Sequence, residues 1–167
     1  PFEHEERHQL AERLTRELSR PGGTFQLRPI QAAALEELAK HGGLVAPIGV
    51  GHGKTLIALL AGTVLRAELT VILAPASTVK QLHKMREEMA KHFHLPENIR
   101  IYSYASLSKA DNSDLLERLA ARYKDGTMLI VADEAHRLKR REAARTKRII
   151  RFFQAHPEVR FARLHRR

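Results

Sequence analysis

Apolar and polar positions recur along this chain in two rhythms, and the change of rhythm marks its elements. In residues 3–20, Leu10, Leu14 and Leu18 recur every four positions among Glu and Arg, which predicts an amphipathic helix. Pro21-Gly22-Gly23 ends it in a short hinge. A second helix is expected from Pro29, a residue suited to a first helical turn, through Ala32, Leu35 and Leu38 to a stop at Gly42-Gly43. Short apolar runs follow at 44–46, 70–74, 99–102 and 128–132, with a weaker one at 159–162. Helical stretches near 54–66, 78–92, 112–123 and 141–155 separate them. Strands joined through helices of this length pair in parallel. The runs at 70–74 and 128–132 are apolar throughout, as strands covered on both faces must be. The expected fold class is therefore α/β, a three-layer sandwich with a parallel sheet between helices. An N-terminal helix and hinge (1–23) precede one main domain (24–167), a size that suits a single core.

Where the first apolar run meets the next helix, the chain reads Gly49-Val50-Gly51-His52-Gly53-Lys54-Thr55. Glycines there let successive N–H groups turn inward on phosphate oxygens, and the helix opening at Lys54 adds the positive end of its dipole. Lys54 can reach β- and γ-phosphates, and the Thr55 hydroxyl can serve Mg²⁺. In the strict spacing of such loops a glycine stands six residues before the Lys. Here that position is Ile48, whose side chain must then point away from the phosphates. His52 belongs to the loop and is expected to face solvent.

About 80 residues later a buried-type strand ends in Asp133-Glu134-Ala135-His136. At the C-terminal edge of a parallel sheet these carboxylates would lie beside the phosphate loop. Asp133 is expected to hold Mg²⁺, and Glu134 to orient and deprotonate the water that attacks a γ-phosphate. Neighbouring residues at a strand end point in different directions, so the two roles do not compete.

Composition narrows the picture further. Cysteine is absent, which removes disulfides and Cys-based zinc sites and suits a reducing compartment. The longest apolar run, 56–65, is interrupted by Gly62 and Thr63 and is too short for a membrane span. Residues 1–20 alternate acid and base and do not read as a signal peptide. The chain has no initiator Met, so the sequence is expected to be a piece of a longer one. The net charge of +10 is concentrated in 137–167, where twelve Lys/Arg face only Glu142 and Glu158. Such a block suits a polyanion, because each neutralised phosphate releases counterions, or else forms a solvated helix face.

Taken together, the motifs resemble those of the first RecA-like domain of superfamily 2 helicases and translocases, Snf2-like or of DEAD/DEAH-box type, across about 24–164. The resemblance implies ATP and Mg²⁺ as cofactors. Leu27-Arg28-Pro29-Ile30-Gln31 resembles the adenine-recognising segment, which implies that Gln31 reads the base with Arg28 beside it. Gly51–Thr55 is similar to motif I, so Gly49, Val50, Gly51, His52, Gly53, Lys54 and Thr55 form the implied cradle. The segments 74–79 and 103–107 are similar to motif Ia and to a following Ser-Tyr motif. In the family both contact a nucleic-acid backbone, which implies that role for Pro75, Ser77, Thr78, Ser103, Tyr104 and Ser106. The acidic motif resembles motif II, and His136 would couple the ATP site to motif III. The implied partner is nucleic acid, DNA ahead of RNA, together with a second RecA-like domain that supplies an arginine finger. The implied location is cytoplasmic, in a bacterial or phage setting. In place of a motif III triplet the chain reads Arg163-Leu164-His165-Arg166-Arg167. Two other readings stay open: a P-loop assembly or switch ATPase, and a non-catalytic nucleic-acid-binding scaffold.

Overall fold

All five expected strands form: β1 Gly43–Pro47, β2 Leu69–Ala74, β3 Ile99–Ser103, β4 Met128–Glu134 and β5 Arg160–His165. The computed structural model describes residues 2–48, 53–134 and 140–165. Every strand pairing is parallel, and the order across the sheet is β1-β5-β4-β2-β3. The helices are α1 Phe2–Leu18, α2 Pro29–His41, α3 Lys54–Leu65, α4 Ala76–Met89, α5 Tyr104–Leu107, α6 Leu115–Arg122 and α7 Arg140–Ala155.

Two apolar clusters cover the two faces of the sheet. On β2, Leu69, Val71 and Leu73 face a cluster with Leu116 and Leu119 of α6 and Ile149 and Phe152 of α7. Ile72 and Ala74 face the other way, toward Leu14 of α1, Leu35 and Leu38 of α2, Leu59 and Leu60 of α3 and Leu82 of α4. This is the expected three-layer α/β sandwich, and it explains why β2 and β4 lack polar alternation. None of the described helices is long and apolar enough to cross a membrane.

The N-terminal helix shares the main core. Ala11, Leu14 and Leu18 are buried in the first cluster, with Leu10 packed at its edge. The Thr15 hydroxyl donates to Ala11 O at 2.7 Å and accepts from Leu27 N at 3.0 Å, which ties α1 to the approach of α2. Arg13 reaches Glu17 and Glu36, and the hydrogen bond to Glu17 is the main reason its guanidinium titrates above its ordinary range. These pairs are exposed and contribute little to stability.

Helix α4 runs Ala76–Met89 in place of the expected 78–92, and two other boundaries differ for identifiable physical reasons. The helix expected over 112–123 starts only at Leu115, after the 3₁₀ turn Ala110–Asn112. The Asn112 amide donates to Ser106 O at 2.8 Å and fastens that turn to the loop before it. The last strand continues past 162 to His165 because it lies between β1 and β4 and is paired on both sides. Two-sided pairing overrides the weak local preference of Arg163 and His165 for strand.

Helix α3 is held tightly at both ends. A Cβ on Gly62 would overlap Thr70 Oγ1 and Pro96 Cγ, so only glycine lets α3 approach β2 this closely. The helix closes with Arg66 at φ 55, where Arg66 N donates to Thr63 O and Ala67 N to Gly62 O. This is a Schellman closure whose left-handed position is normally glycine. Arg66→Gly is expected to raise stability by about 1 kcal/mol by removing Cβ strain. Urea unfolding followed by circular dichroism reads it; an unchanged or lower midpoint contradicts it.

Candidate functional site

The C-terminal edge of the sheet gathers the motif residues in a line. The phosphate loop leaves β1, Asp133 and Glu134 end β4 two strands away, and β2 and β3 deliver Pro75 and Ser103–Ser106 beyond. With neighbouring strands spaced at about 4.8 Å, the acidic motif lies roughly 10 Å from either outer strand of the sheet.

Ile48, which occupies the position of the missing loop glycine, is 3% exposed and packed into the core, as the sequence requires. Gly49, Val50, Gly51 and His52 lie outside the described residues. The loop is picked up again at Gly53, the residue before α3, with φ 75 and ψ 42. That left-handed conformation favours glycine, and a Cβ would also overlap Gln31 Nε2.

Lys54 opens α3, and its Nζ lies 2.8 Å from Asp133 Oδ1 across 79 residues of sequence. The two side chains are 20% and 12% exposed, the least of any ion pair among the described residues. Most surface pairs contribute under about 1 kcal/mol, whereas a pair this sheltered fixes the geometry of both partners. Thr55 is half-buried one residue further on. The backbone of Glu134 ends β4 opposite His165 of β5; the surroundings of its side chain and all of His136 lie outside the described residues.

Gln31 is 3% exposed. Its Oε1 accepts from Arg28 N at 2.9 Å and its Nε2 donates to Gly53 O at 3.4 Å. The first turn of α2 is thus braced directly against Gly53.

On the other flank, Pro75 precedes α4, and both Thr78 N and Thr78 Oγ1 donate to Pro75 O at 2.9 Å. Ser77 is exposed. Ser103 Oγ accepts from Ser106 N at 3.0 Å, and Ser106 Oγ donates to Ser103 O at 2.9 Å, so both hydroxyls cap the turn at α5. The Tyr104 hydroxyl donates to Asp133 O at 3.2 Å. From α7, Arg148 donates to Leu107 O and Ser113 O. Sequence reasoning missed these last two links. Arg148 carries no local signal, because its partners are 41 and 35 residues away.

A parallel α/β sheet with a glycine-hinged Lys-Thr helix start facing an acidic strand end defines a P-loop nucleotide-binding domain of RecA-like type. Residues 24–162 match the family described as "Type III restriction enzyme, res subunit" (ResIII), and the chain belongs to that family. The family is one of helicase-like ATPase domains, the first RecA-like domain of superfamily 2. Comparison with curated proteins gives no match.

Proposed function

We propose that this chain is the ATP-binding half of a nucleic-acid-dependent motor, a DNA helicase or translocase. The observation that carries the reading is the Lys54–Asp133 pair, which joins the phosphate loop to the acidic strand across the sheet edge. The residues fit the cofactors. Asp133 and Thr55 offer the hard oxygen donors that Mg²⁺ takes, and the Asp133 carboxylate already accepts a cation at 2.8 Å. Mg²⁺ held there would neutralise charge on the phosphates. Lys54 would turn from Asp133 to the β- and γ-phosphates. Glu134 would orient the attacking water and take its proton, and Gln31 with Arg28 would read adenine. An amide can form more bonds than the two Gln31 makes within the protein, so bracing the loop and reading a base are compatible.

Pro75, Ser77 and Thr78 with Ser103 and Ser106 would track a phosphate backbone, DNA ahead of RNA, on the side of the acidic motif away from the phosphate loop, with Tyr104 in the same turn. A second RecA-like domain, in cis or in trans, would supply the arginine finger, and His136 would couple the ATP site to motif III. The finger contributes roughly 10³- to 10⁵-fold in related chemistry. This chain by itself is therefore expected to bind nucleotide and hydrolyse it slowly.

The test is ATP turnover of this chain and of its longest natural form, with single- and double-stranded DNA and RNA. Stimulation by one polymer that vanishes in Glu134→Gln supports a motor. Turnover indifferent to every polymer supports an assembly or switch ATPase. Tight polymer binding without turnover in either form supports a scaffold.

A further inference from the structure

The Tyr104 hydroxyl does not simply face outward at the tip of its loop; it is spent on the backbone of the acidic motif. Strand β3 is separated from β4 by β2, so a link between them has to cross the end of β2. The ladder between β2 and β4 ends at Leu73↔Ala132, and Ala74 is followed by Pro75. Proline has no N–H to continue the ladder, which leaves the next carbonyl on β4 in need of another donor. Asp133 O receives it from Tyr104 Oη at 3.2 Å. The register Ala74↔Ser103 puts the start of the turn level with that carbonyl, and a tyrosine side chain plus one hydrogen bond covers the distance.

The turn that carries Tyr104 is held as a unit. Ser103 and Ser106 cap each other, Asn112 donates to Ser106 O, and Arg148 donates to Leu107 O at 3.2 Å. A displacement of this turn therefore reaches Tyr104 instead of dissipating within the loop. Asp133 in turn holds Lys54 through its carboxylate. A continuous polar path runs from Arg148 in the basic block, through the α5 turn and Tyr104, to Asp133 and the phosphate-binding lysine.

We propose that Tyr104 is a positioning residue that couples the α5 turn to Asp133, so that a nucleic-acid backbone engaging the turn sets the geometry of the acidic motif. The inference rests on the motor reading above and deepens it, since Tyr104 acts through Asp133 and not chiefly as a backbone contact. Coupling between sites of this kind commonly amounts to 5- to 150-fold, roughly.

Tyr104→Phe keeps the ring and removes only the donor. Three quantities are measured: kcat and KM for ATP with saturating single- or double-stranded DNA, DNA affinity by anisotropy, and backbone hydrogen exchange over 128–134. The expected result is a loss of stimulated kcat of about five-fold or more. KM and DNA affinity stay within about two-fold, and exchange at the end of β4 is faster. Tyr123→Phe, whose hydroxyl meets Asn98 on another loop, is the control and keeps full stimulation. Full stimulation in Tyr104→Phe overturns the proposal. A loss of DNA affinity matching the loss of stimulation also overturns it, because the hydroxyl would then be a direct contact. If wild-type turnover ignores every polymer, the motor reading fails by itself. Exchange at 128–134 then decides Tyr104 alone, and exchange equal to wild type rejects its positioning role.

Discussion

Lys54→Ala is expected to lower ATP turnover by roughly 10²- to 10³-fold, the usual loss when one preorganised donor to developing charge is removed. The geometry explains why no neighbour replaces it. Lys54 is the first residue of α3, directly after a glycine held at φ 75, so its direction is set by the backbone and not by a flexible loop. Its side chain is only 20% exposed and its Nζ is already held at 2.8 Å from Asp133 at the sheet edge. The substitution also leaves Asp133, at 8% exposure, without its cation, and an orphaned carboxylate destabilises by about 1–3 kcal/mol. Lys54→Ala combined with Asp133→Asn should recover part of that stability and none of the activity. Coupled-enzyme turnover and thermal unfolding on the same preparations separate the two effects. Turnover within three-fold of wild type would remove Lys54 from the chemistry.

Phe93→Ala is expected to cost about 3–5 kcal/mol, a large share of the 5–15 kcal/mol typical of a domain. Phe93 is fully buried and lies where three segments meet. Its backbone bridges Ser19 at the end of α1, its ring meets Phe25 edge-on at 6.2 Å, and the flanking His94 N donates to Leu18 O. Removing the ring opens a cavity among elements that are each anchored by other bonds, so they cannot collapse to fill it. Urea unfolding should show a lower midpoint with the α1 signal lost in the same transition. A stability loss below about 1 kcal/mol would mean that α1 docks independently of this residue.

Much of the architecture was legible because the physics was local. Leu10, Leu14 and Leu18 recur at helical spacing, and β2 and β4 are runs whose burial on both faces leaves no polar alternation to confuse them. The phosphate loop and the acidic motif were legible for a different reason: glycine freedom and carboxylate chemistry restrict what such spacings can do. The packing of Ile48 followed from the same reasoning, since a branched side chain has no place among phosphates. What sequence could not supply was anything that depends on register. That Arg163 and His165 continue a strand follows from β5 being paired on both sides. That Tyr104 meets Asp133 depends on β2 ending in proline between them. Gln31 was assigned to a base edge from its neighbours, while its bond to Gly53 needs the distance between the start of α2 and a loop 22 residues on. The basic block illustrates the same limit, for charge counting treats Arg148 like its neighbours although its guanidinium holds two backbone carbonyls.

The most direct test of the central claim is calorimetric titration of Mg·ATP into this chain and into Lys54→Ala. The account predicts one saturable site in the wild type, dependent on Mg²⁺, and at least ten-fold weaker binding in the variant, about 1.4 kcal/mol. Equal binding by both proteins, or none by the wild type, would contradict a nucleotide site built on Gly53, Lys54, Thr55 and Asp133.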